Sequence, residues 1–92
     1  MKVIIKNNTG YDIKECTITF MDGLKVVQKE LSWFEDGDII ETRPGYDIAP
    51  RLTGYIENDY GRDTLVEGEA RVAAKAGVTV TKWVFNKVHE CD

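Results

Sequence analysis

His89, Glu90, Cys91 and Asp92 place four potential metal ligands in a row, and Ser32 and His89 are the chain's single serine and single histidine. Nucleophilic catalysis would need Ser32 or Cys91 within hydrogen-bond reach of the imidazole, with a third group to orient that base. In an extended tail His89 and Cys91 share a face. A tail supplies neither orientation nor exclusion of water, and no glycines flank Ser32 to build a nucleophile elbow. A structural zinc site takes its four ligands from two spaced pairs, and no second pair exists. The plainer reading is a solvated terminus. The expectation is a protein with no catalytic residue, no metal and no cofactor.

Two acidic clusters point toward calcium only weakly. Glu57-Asn58-Asp59-Tyr60-Gly61-Arg62-Asp63 arranges oxygen ligands around a glycine, but lacks the spacing of a calcium loop and carries Arg62 in its middle. Glu35-Asp36-Gly37-Asp38 sets three carboxylates around a turn glycine, a common composition for a solvated tip.

Recognition is the chemistry these residues favour. Trp33 and Phe34 stand beside that acidic tip, at the end of a strand-like run through Val26, Val27 and Leu31. Neighbours in an extended chain point to opposite faces, so one of the two aromatics is expected outside the core unless a sharp turn buries both. An exposed aromatic rimmed by Glu35, Asp36 and Asp38 would make a protein-contact patch, since aromatic anchors dominate interface energies. Tyr55 and Tyr60 form a second candidate patch of the same kind.

The elements that position these residues are short strands. Asn7-Asn8-Thr9-Gly10, Asp22-Gly23, Asp36-Gly37, Pro44-Gly45, Asp59-Tyr60-Gly61 and Ala76-Gly77 break the chain so often that no helix of ordinary length fits between them. Cys16, Ile18 and Phe20 alternate with Thr17 and Thr19, the pattern of a half-buried strand. A three-residue loop, Met21-Asp22-Gly23, with Gly23 left-handed, would pair Phe20 with Leu24, Ile18 with Val26 and Glu15 with Lys29. It keeps lysines off the apolar face.

Further strands are expected at 39–43, 46–48, 52–56 and 65–74. Pro50 should lie at a strand break or edge, and one helical turn competes for 69–74. The last run, 78–88, is apolar on both faces. It predicts a central strand or a face-swapping bulge near Lys82. The whole predicts one all-β domain over 1–92, a small antiparallel two-layer sandwich or partly open barrel of about seven to nine strands joined by hairpins. The opening strand, Asn-Asn-Thr-Gly turn and second strand resemble the start of several small bacterial β-sandwich proteins and, loosely, of the aegerolysins. That resemblance spans about the first 13 residues and implies a sandwich, not an activity.

Composition narrows the partner. The 92 residues carry a net charge of −4, with six basic and eight acidic side chains in each half. No basic stripe exists for a phosphate backbone, so nucleic acid is not expected. Neither a secretory signal nor a transmembrane segment is legible, which makes the cytoplasm the expected setting and a Cys16–Cys91 disulfide unexpected. The functional expectation is a non-enzymatic protein-binding domain of the accessory or inhibitory kind, bacterial or phage-like, with open sheet edges that also allow homo-oligomers. The alternative is a carbohydrate- or lipid-surface-binding sandwich using Trp33, Tyr55, Tyr60 or Trp83 as platforms.

Overall fold

A computed structural model of the chain describes residues 2–46, 48–72, 77 and 79–90, with side chains to residue 85. The described residues form eight strands: β1 (Val3–Lys6), β2 (Ile13–Asp22), β3 (Lys25–Phe34), β4 (Ile39–Thr42), β5 (Arg51–Glu57), β6 (Asp63–Ala70), β7 (Thr79–Val80) and β8 (Trp83–Glu90). The expected all-β sandwich is what forms, in two open sheets and not a closed barrel. One sheet has the order β4-β1-β7, the other β3-β2-β5-β6-β8. Among the described residues no helix is long and apolar enough to cross a membrane.

Period-two alternation builds the core. Val3 and Ile5 of β1, Ile40 of β4 and Val80 of β7 meet Ile13, Cys16, Ile18 and Phe20 of β2, Phe34 of β3, Leu52 and Ile56 of β5, and Val66 and Ala70 of β6. Most strands turn every second residue to this layer and the others outward, whereas β2 and β3 break the alternation between Ile13 and Cys16 and between Leu31 and Phe34. Strand β1 is antiparallel to β4 and parallel to β7. The five-stranded sheet is antiparallel throughout.

The first hairpin keeps the expected left-handed glycine, with Gly23 at φ 62°, but its register is not the expected one. Asp22 pairs with Lys25, Phe20 with Val27 and Ile18 with Lys29 around the two-residue loop Gly23-Leu24. A positive-φ glycine followed by a residue of ordinary φ is the pattern of a type II′ turn, which matches strand twist. Two physical reasons explain the correction. Arg43 chelates the Asp22 carboxylate, with Nε at 3.1 Å and Nη2 at 3.4 Å, and its backbone N–H donates to the same group, so β2 extends to Asp22. And β3 is an edge strand, so Lys29 opposite Ile18 stays exposed, with no strand beyond it to block its path to water.

Two other strand expectations are not met. Of the strand expected at 46–48, Tyr46 and Ile48 belong to no strand and residue 47 lies outside the described residues; the Ile48 N–H bonds the Tyr46 carbonyl instead. Just before it the chain is pressed against the hairpin, where a β-carbon on Gly45 would collide with Gly23 O. The run 78–88 is neither a central strand nor one strand. It breaks at Thr81-Lys82 and crosses from the small sheet (β7) to the edge of the large one (β8), so its two-sided apolarity comes from serving two sheets. The irregularity in β8 lies between Phe85 and Lys87, past the expected Lys82. Most of the competing helical turn, 73–76, lies outside the described residues; Glu69 and Ala70 belong to β6.

A buried asparagine joins the layers. Asn7, fully buried, donates from Nδ2 to Phe34 O at 2.7 Å and Tyr11 O at 3.0 Å, and its Oδ1 accepts from the hydroxyl and N–H of Thr9. Every side-chain hydrogen-bonding group of Asn7 is used, as a buried amide requires.

Candidate functional site

The most chemically mixed surface lies on the outer face of the five-stranded sheet. There Trp33 pairs with Lys14 across β3–β2, Lys14 with Tyr55 across β2–β5, and Tyr55 with Leu65 across β5–β6. Side chains opposite one another in adjacent strands stand on one face, so these four form a row across the sheet. A groove of about 400 Å³ opens along it, lined by Lys14, Glu15, Ser32, Trp33, Tyr55 and Asp63.

A β-bulge shapes the groove. Between Lys14↔Tyr55 and Thr17↔Thr53, the two residues Glu15 and Cys16 oppose the single residue Gly54. Glu15 has φ 47°, a left-handed conformation that such bulges fill with glycine. Gly54 has no room for a side chain: a β-carbon there would stand 2.9 Å from Lys14 O and 3.3 Å from the Cys16 Cα. The bulge switches which residues of β2 face inward, from Ile13 to Cys16, and β3 switches beside it, from Leu31 to Phe34. Trp33 is thereby turned outward at the head of the groove.

Electrostatics centre on Lys14. Its Nζ lies 3.1 Å from Asp63 Oδ1, 3.9 Å from Glu57 Oε2 and 5.7 Å from the centroid of the Trp33 ring. Among the described residues, the Glu15 carboxylate has no hydrogen bond or ion pair.

The residues singled out in the sequence separate. Trp33 is 53% exposed and Tyr55 half-buried, both in the groove, whereas Phe34 is 1% exposed and belongs to the core. Phe34 therefore drops out as a contact residue. Tyr60 projects from the Asn58–Arg62 turn and is 87% exposed, away from the groove lining. Two of the tip carboxylates serve the local fold: Asp36 Oδ1 accepts from Gly10 N and Asp38 Oδ2 from Glu35 N. The carboxylates that line the groove with Trp33 are Glu15 and Asp63, on β2 and β6.

Sequence reasoning missed Lys14 and Glu15 as groove residues and read Asp63 only as part of an acidic loop, because cross-strand neighbours in β2, β5 and β6 are not neighbours in sequence. One signal was present. Ile13 and Cys16 both need the core yet sit three apart, which an unbroken strand cannot satisfy.

Catalytic and metal candidates gain nothing from the geometry. Ser32 lines the groove with no described imidazole beside it, and the side chains of His89 to Asp92 lie outside the described residues. Among the described residues no three His, Cys, Asp or Glu side chains are grouped to hold a metal ion. Compared with known protein families, curated proteins and solved structures, the chain matches none.

Proposed function

We propose that this chain is a non-enzymatic, cytoplasmic protein-binding domain whose contact surface is the outer face of the five-stranded sheet, anchored by Trp33. One observation carries the reading: a large indole stands 53% exposed at the head of a groove instead of entering a core that takes its neighbour Phe34. Exposed tryptophans over partly desolvated grooves are the residues on which interfaces concentrate their energy. The groove's polar set, a lysine held by two carboxylates beside Glu15 and Ser32, suits recognition better than bond-making.

Affinity capture with the wild-type chain and a Trp33→Ala chain in parallel tests this. The expected result is a protein retained by the first and lost from the second, with the purified pair weakened by about 2 kcal/mol or more. Identical capture by both chains would overturn the reading. A change in tryptophan fluorescence with oligosaccharides or liposomes, lost in Trp33→Ala, would replace it with a sugar- or lipid-binding one in which Trp33 and Tyr55 are stacking platforms.

A further inference from the structure

The contacts of Lys14 show what this groove accepts. An aromatic face at 5.7 Å, one carboxylate at 3.1 Å and a second at 3.9 Å are the surroundings that an ammonium or guanidinium group seeks. The lysine does not saturate the site. Among the described residues that line the groove or pair with Lys14, three carboxylates, Glu15, Glu57 and Asp63, face its single ammonium beside an exposed indole.

Glu15 belongs to this acidic set. Folding alone would place glycine in a bulge at φ 47°, because a β-carbon is crowded in that conformation. The chain instead carries a carboxylate there, at the lining of the groove and with no ion-pair or hydrogen-bond partner among the described residues.

We infer that the groove receives a cationic side chain, arginine above lysine, from a basic segment of a protein partner, and that Lys14 occupies this place in the free domain. Arginine is favoured because its planar guanidinium can stack on Trp33 while its N–H groups reach Glu15 and Asp63 together. The net charge of −4 on the whole chain favours the same class of partner. The inference rests on the protein-binding reading and specifies what that surface recognises. It opposes the other obvious assignment, in which Lys14 is itself the contact for an acidic partner. The two differ in sign: the resident lysine competes with a cationic guest, but would bind an acidic one.

The test titrates the full 92-residue chain by calorimetry with a short blocked peptide of alternating arginine and serine, and with its glutamate–serine counterpart. The arginine peptide should bind, more weakly as salt is raised, and the glutamate peptide should not. Lys14→Gln should tighten the arginine peptide by about two- to fivefold, the worth of one exposed cation–π contact returned to the guest. Trp33→Leu should weaken it by a similar factor. Glu15→Gly should weaken it while the melting temperature holds or rises, a combination that a purely structural role for Glu15 would not give.

The inference is overturned if neither peptide binds, if Lys14→Gln weakens arginine-peptide binding, or if Glu15→Gly leaves the affinity unchanged. Preference for the glutamate peptide, abolished in Lys14→Gln, would overturn it too while leaving the protein-binding reading intact. That reading falls separately, if Trp33→Ala has no effect on partner capture. Should Lys14→Gln fold poorly, Lys14→Met keeps the aliphatic stem and tests the same sign.

Discussion

Trp33 and Phe34 are consecutive in β3 and face opposite sides of the large sheet, the indole 53% exposed and the phenyl ring 1%. Their truncations should therefore separate. Phe34→Ala removes a core ring and is expected to cost about 3–5 kcal/mol, whereas Trp33→Ala should cost less than about 1 kcal/mol. Urea unfolding of both variants checks this, and equal losses would refute the opposite placement.

Gly54 should tolerate no side chain. The Glu15–Cys16 bulge presses its backbone so near that a methyl group at position 54 would meet Lys14 O at 2.9 Å. Gly54→Ala is expected to destabilise by about 1–3 kcal/mol through forced backbone displacement. It should also shift the amide resonances of Lys14 and Cys16. A neutral substitution would mean that the bulge does not sit opposite Gly54.

This bulge also marks where the sequence stops being readable. Local patterns sufficed for the strand class: alternation in Cys16–Phe20 and Leu52–Ile56, and turn residues between the runs, each act within a few positions. The register of the first hairpin was not legible, because Asp22 is fixed by Arg43, 21 positions away. The split of 78–88 follows from β7 finding a parallel place beside β1, a pairing across the whole chain. As for the site, alternation alone puts Trp33 and Phe34 on opposite faces, but which of them faces out is set by the switch in β3 beside the bulge. The Trp33 partners Lys14, Tyr55 and Asp63 come from three strands whose order in the sheet no short window encodes.

The Asp22–Arg43 pair should make stability sensitive to acid. The Arg43 guanidinium and backbone N–H, with the Thr42 hydroxyl, hold the Asp22 carboxyl below its ordinary value of 3.8. A carboxyl depressed in the folded state stabilises above its unfolded pKa, and the contribution disappears as pH falls through the folded value. Asp22→Asn should therefore be less stable than wild type at neutral pH, and the two curves should converge below about pH 3.8. Parallel curves across that window would show that the pair contributes nothing.

Thr64 offers a gain in stability. It is 3% exposed on the inner face of β6, and among the described residues its Oγ1 is the buried side-chain oxygen without a hydrogen-bond partner. Valine has nearly the same shape and no hydroxyl to desolvate. Thr64→Val is expected to stabilise by about 1 kcal/mol, read as a higher urea midpoint at unchanged slope. A lower midpoint would reveal a partner for the hydroxyl.

Cys16 should behave as an inert part of the core. It is a free thiol with no exposed surface, and burial pushes it up from 9.0 to about 11 by disfavouring the thiolate. Because the thiolate is the reactive form, a disulfide reagent at pH 8 should modify Cys16 in a Cys91→Ser background only as fast as the domain opens. Full reaction is expected once urea unfolds it. The same shift has a sign for stability: a thiol pKa raised by folding stabilises fully below about pH 9, and the contribution is lost as pH climbs toward 11. Cys16→Ala, destabilised by its cavity at neutral pH, should therefore lose less stability than wild type across that alkaline window. In the Cys91→Ser chain, rapid labelling of Cys16 under native conditions would place its thiol at the surface.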